Sequence, residues 1–215
     1  MIRARKKLLI AVGGIAIIFS IFLRFRPSND PIPFGGTNVN PTGPAMVPWR
    51  SPEADNAMFF PGASKYALET VVLSRYRPEI LRKLGPKYHM DSTAVYAYSI
   101  FKDGKPVGMV VPRRLSGIHG AIEIVVAIRP DFTVERVTIQ RSRETEVITN
   151  SLFDGKTLNS FIGKNQDSSY APETITSSKD PEVLATAQIL GLGVKSILVE
   201  LSTALGGKKK AKSPK

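Results

Sequence analysis

The sequence predicts an α+β domain carried behind one N-terminal transmembrane helix, and three observations make that prediction. An apolar run flanked by basic residues stands near the N-terminus. Short β-branched segments separated by turn signals cluster in the centre. A long stretch with helical periodicity follows them.

Residues 8–23, "LLIAVGGIAIIFSIFL", are an uncharged run of 16. At about 1.5 Å per residue the run spans roughly 24 Å, short of the ~30 Å hydrocarbon core. Lys7 and Arg24 make up the difference, because their aliphatic stems lie in the bilayer while their charges reach the interface. No small-x-small cleavage pattern follows, so residues 1–26 read as a basic N-terminus with an uncleaved signal-anchor. Four cations precede the run and two follow it. The positive-inside bias then places the N-terminus in the cytoplasm and the rest across the plasma (inner) membrane, as a periplasmic or otherwise extracytoplasmic domain.

Residues 27–57 hold seven of the sixteen prolines, which fix φ and remove ladder donors, and so predict an extended stalk. Phe34, Val47 and Trp49 within it are expected to lie against a partner, the bilayer interface or the chain's own domain.

The globular part is expected over residues 58–207. "PEILRKLG" at 78–85 has proline at a helix start and glycine at its end. "STAVYAYSIF" and "PVGMVV" read as strands around the turn "KDGK", where Asp-Gly supplies positive φ. "AIEIVVAI" and "TVERVTIQ" form a second pair around "RPDF". The last element is a long helix capped by Asp180, with Pro181 as its first residue and Gly206 just past its end. Val183, Ala187, Leu190, Val194, Ile197, Leu201 and Leu205 give it one apolar face. Gly191 and Gly193 in its middle predict a close backbone approach or a kink.

Charge and chemistry narrow the function. Eleven of the +12 formal charges lie in residues 1–26 and 208–215, which leaves +1 for residues 27–207. The basic character belongs to the two ends, and a domain outside the cytoplasm meets no nucleic acid. Five lysines in 208–215 read as a mobile cationic tail. Cysteine is absent, and His89 and His119 are the two histidines, so thiolate and multi-histidine metal sites are unavailable. The chain contains no Gly-x-Ser-x-Gly elbow and no P-loop, hence no independent catalytic constellation.

Taken together, the anchor, the proline-rich stalk and a domain running Gly-x-x-Gly, strand, turn, strand, "ET", short helix, closing helix resemble the FMN-binding domain family. That family includes the flavin-carrying subunits of Rnf-type and sodium-pumping NADH:quinone oxidoreductase complexes. The likeness covers roughly residues 58–205. Gly117, Gly120 and Ile122 match its glycine-rich approach to a strand, with Asp131 in the following turn. Glu144 and Thr145 match the start of its Glu-Thr-Pro-Gly-Leu-Gly motif, and "LNSFIGK" resembles the helix after it. Ala185 and Thr186 match the end of its Ser-Gly-Ala-Thr motif, whose threonine carries FMN through a phosphoester bond in covalent members. The resemblance thus implies FMN as cofactor, with Thr186 as the sole candidate attachment point.

Two departures accompany it. Glu146-Val147-Ile148-Thr149 stand where the family has Pro-Gly-Leu-Gly, and β-branched residues obstruct the approach of backbone to a flat ring. Val183 and Leu184 replace Ser-Gly, inside a helix. His119, between the two glycines, is read as incidental to any chemistry. Two functions follow: a membrane-anchored subunit that passes electrons through FMN, or a flavin-free structural or assembly subunit of a respiratory or photosynthetic membrane complex. Both imply integral membrane subunits and membrane lipids as partners.

Overall fold

A computed structural model describes residues 32–33, 52–86, 88–90 and 92–210. The expected anchor, most of the stalk with Phe34, Val47 and Trp49, and tail residues 211–215 lie outside them.

Six antiparallel strands form one sheet, and each strand neighbours the next in the chain: β1 (Ile32–Pro33), β2 (Lys65–Val72), β3 (Ala94–Lys102), β4 (Lys105–Ser116), β5 (Ala121–Ile128) and β6 (Val134–Ser142). The turns make this meander possible. Between β3 and β4, Asp103 (φ 50°) and Gly104 (φ 73°) both take the left-handed conformation that a two-residue hairpin requires. Between β5 and β6, Phe132 also has positive φ, and Asp131 accepts hydrogen bonds from the Thr133 N–H and hydroxyl. Those bonds hold the Asp131 carboxyl below the usual range.

The helices are α1 (Pro52–Phe59), α2 (Arg77–Leu84), α3 (Glu146–Leu152), α4 (Gly155–Asn159) and α5 (Pro181–Lys210). α2 takes its proline at the start and ends at Gly85, whose φ is 90°. α5 is capped by Asp180, whose carboxylate accepts from the N–H groups of Glu182 (2.9 Å) and Val183 (3.1 Å). Its stripe Val183, Ala187, Leu190, Val194, Ile197 and Leu201 is fully buried against one face of the sheet. That face supplies Val95, Val111, Ile122, Ile124, Val126 and Val137. A smaller cluster on the opposite face joins Phe59, Tyr66, Ile100, Val110, Val125 and Ala127.

Glycines in α5 permit a close approach within an uninterrupted helix. A Cβ at Gly193 would come within 2.7 Å of the Leu115 side chain, and one at Gly191 within 2.5 Å of the Tyr170 carbonyl oxygen. By length and composition Pro181–Gly206 could cross a membrane, with a mean hydropathy of 1.5, yet two thirds of it is buried inside the domain. It is the core helix.

Four features differ from the sequence reading. β2 is a strand the sequence does not signal, since "KYALETVV" mixes apolar and charged residues without a clean alternation. Helix α1 (Pro52–Phe59) begins inside the expected stalk of residues 27–57, and Ile32–Pro33 pair with β2. At the C-terminal end, α5 does not stop at Gly206 but continues to Lys210, so the backbone of the basic tail is helical at its start. Finally, β4 runs on to Ser116, directly into the Gly117 turn.

Candidate functional site

The turn that follows β4 is closed by glycine geometry. The Gly117 N–H donates to the Gly120 carbonyl at 2.8 Å. A Cβ at Gly117 would fall on the Glu144 Oε1 atom and within 2.6 Å of the Gly120 oxygen. One at Gly120 would lie 2.6 Å from the Arg143 Cβ. Both positions must therefore be glycine because the chain packs against itself there.

Glu144 fills the space that Gly117 leaves. Its carboxylate accepts from the His119 N–H, at 3.2 Å to Oε2 and 3.4 Å to Oε1. The His119 ring then reaches Glu182 in the first turn of α5, with Nε2 and Oε2 3.1 Å apart. His119 is thus a half-exposed clasp between the turn and the closing helix. Thr145, next to Glu144, caps α3 by accepting from the Ile148 N–H. The segment where the resembled family has Pro-Gly-Leu-Gly is consequently the first turn of a helix. Glu146 gives that turn its acidic residue.

Ala185 and Thr186 lie further along α5. Ala185 is exposed, but Thr186 has no accessible surface, and its buried Oγ1 lacks a hydrogen-bond partner. Gly117, Gly120 and Glu144 are in mutual contact, while the Thr145 hydroxyl is committed to its cap and Thr186 is sealed in the core. These residues do not fit a covalently attached flavin. The one hydroxyl available for a phosphoester is inaccessible, and the glycine cradle is filled by the protein's own carboxylate.

A second polar centre has no counterpart in the sequence reading. Arg113 on β4 makes a two-pronged ion pair with Glu200 on α5, at 2.5 Å from Nη2 to Oε2 and 3.2 Å from Nη1 to Oε1. Ser196 and the Tyr88 hydroxyl complete it, the latter donating to Glu200 at 2.9 Å. Burial works to lower the Arg113 pKa, but the Glu200 carboxylate outweighs it and holds the guanidinium above its ordinary value. Burial, followed by Glu200, raises the Tyr88 phenol. A signal does exist: Glu200 falls three residues after Ile197, within the apolar face of α5, and a buried acid needs a partner. Among the described residues, no group of three or more metal-ligating side chains exists.

Along the outer edge of β6 runs a cleft of about 480 Å³, walled on its other side by α3 and α4.

No protein-family model matches the chain. Over 115 residues it is 27% identical to a subunit of the proton-translocating ferredoxin:NAD(+) oxidoreductase complex of Clostridium ljungdahlii, an alignment that covers 52% of this chain and 62% of that relative. The matched region is thus less than two thirds of the relative's length.

Proposed function

We propose that this protein is a subunit of a membrane-bound electron-transport complex, in which its domain serves as a docking and structural body without covalent flavin. Complex membership rests on the similarity to a subunit of the clostridial oxidoreductase complex. The observation that argues against a covalent flavin is the zero accessibility of Thr186. A phosphoester there would require the N-terminal part of α5 to leave the sheet, exposing Val183, Ala187 and Leu190 to water. At roughly 1.5–3 kcal/mol for each large apolar side chain, that opening is strongly opposed.

In this reading residues 8–23 hold the chain in the plasma membrane as a single pass. The N-terminus is cytoplasmic, and the domain meets integral membrane subunits on the far side. The terminal lysines add weak attraction to anionic lipid, about 1 kcal/mol each at most.

A second reading, in which FMN is kept noncovalently for electron transfer, is favoured by the match of Gly117, Gly120, Glu144 and Thr145 to the flavin family's motifs. An absorbance spectrum of protein purified from native membranes, before and after acid precipitation, separates the two. The docking reading expects no flavin band. Yellow colour released by acid supports noncovalent FMN, and colour retained in the pellet overturns the assignment made from Thr186.

A further inference from the structure

We propose that the outer edge of β6 is a docking site for an extended acidic strand of a partner protein, which would add to the sheet as a seventh strand. β6 is the last strand of the sheet and is hydrogen-bonded on its inner side to β5. On its outer side, Val134 exchanges backbone bonds with Gly163 and Lys164, each 2.8 Å. From Arg136 to Ser142 the edge instead lines the cleft of about 480 Å³. Seven consecutive strand residues form one wall, while Thr149, Phe153 and Leu158 belong to the helical wall. A trough bounded along its length by a strand edge has the shape of an extended chain and not of a compact ligand.

Charge selects the occupant. Arg136 and Arg141 line the cleft, and no carboxylate does. The register shifts between them: Ile139 pairs with Ile124, and Arg141 with Glu123. That irregularity brings Arg136, opposite Ala127, and Arg141, opposite Glu123, onto one face of the sheet. Arg141 is partly satisfied by Glu123 at 2.7 Å. Arg136 is exposed and has no ion pair among the described residues. A second copy of this chain is disfavoured. Two-fold antiparallel pairing centred on Thr138 sets Arg136 opposite Arg141 of the other copy, and like charges directly opposite one another repel. A strand with carboxylates at those two places meets opposite charges instead.

Edge cations also serve to keep sheet edges from pairing at all, so the test must separate welcome from deterrence. Isotope-labelled full-length protein in detergent micelles is titrated with the peptide acetyl-EVTVEV-amide, whose two glutamates share a face, and followed by amide shifts and hydrogen exchange. The expected result is shifts and slowed exchange confined to residues 136–142. Arg136→Glu, at an exposed site that does not endanger the fold, should weaken binding by roughly fivefold, the scale of one cross-strand charge pair. Replacing one peptide glutamate by lysine, in acetyl-KVTVEV-amide or acetyl-EVTVKV-amide according to strand direction, should recover that loss in the variant. Absence of shifts along β6, shifts centred elsewhere, or binding unchanged when alternate peptide nitrogens are methylated would each overturn the proposal. The outcome does not depend on membership in an electron-transport complex.

Discussion

Thr186 and Gly117 show how single residues decide what this domain can hold. The Thr186 hydroxyl is buried without a partner, an arrangement that generally costs about 1–3 kcal/mol. Thr186→Val removes the oxygen while keeping the branched shape. It should raise stability by about 1 kcal/mol, read as a higher urea midpoint with an unchanged slope. The same variant should leave the absorbance spectrum as it was, whereas a flavin lost on substitution would return Thr186 to cofactor chemistry. Gly117→Ala drives a methyl group into Glu144 and should destabilise by roughly 1–3 kcal/mol, seen as a lower Tm. Glu144→Ala in the same chain opens room for that methyl, so the double variant should recover part of the loss. The two glycines are legible as a tight turn from sequence. That Glu144, more than twenty residues later, occupies the turn is not, because nothing in local spacing encodes a side chain arriving from the far end of β6.

At the scale of elements, the sheet and α5 are joined by apolar contact and by one buried ion pair. Arg113→Met leaves the Glu200 carboxylate buried and unpaired, and Glu200→Leu leaves the guanidinium so. Either should cost roughly 3–5 kcal/mol in urea unfolding. The double variant should recover most of that loss, since two apolar side chains replace two charges without orphaning either. If the single losses simply add, the pair is not coupled.

α4 supplies a pH-dependent counterpart. The Asp154 carboxylate accepts from the Thr157 N–H at 2.8 Å, and its bonds from Thr157 hold it below the usual range. A carboxyl depressed in the folded state binds more protons when unfolded. Its contribution is therefore complete above the unfolded value of about 3.9 and fades as pH falls through the folded one. Asp154→Ser keeps a cap without a titrating group, so the decline of Tm on acidification should become shallower.

Helices with end signals, and strands bounded by Asp-Gly or Pro-Asp, can be placed from sequence. β2 cannot, because "KYALETVV" interleaves apolar and charged residues in neither period and becomes a strand by pairing with β3 over its full length.

For the molecule as a whole, the charge division between a nearly neutral domain and basic ends makes a claim about sidedness. Protease added to intact spheroplasts should degrade the domain while the N-terminus stays protected. Full protection of the domain would reverse the proposed orientation. The domain itself is readable as α+β because its local signals agree with its final packing. Which strand ends the sheet is not, since an edge strand and an inner strand carry the same periodicity and differ in what lies alongside.

The order of elements also has a consequence in time. The strands pair in sequence, each with its predecessor, so the sheet can assemble as the chain is made. Its broad apolar face, from Val95 to Val137, is covered by α5, which is synthesised after all of them. Throughout translation of residues 143–180 that face lacks its main cover, with only α2 and then α3 and α4 reaching it. A nascent chain at this stage resembles an adhesive ribbon, and it would need a holding chaperone until the final helix emerges to seal it.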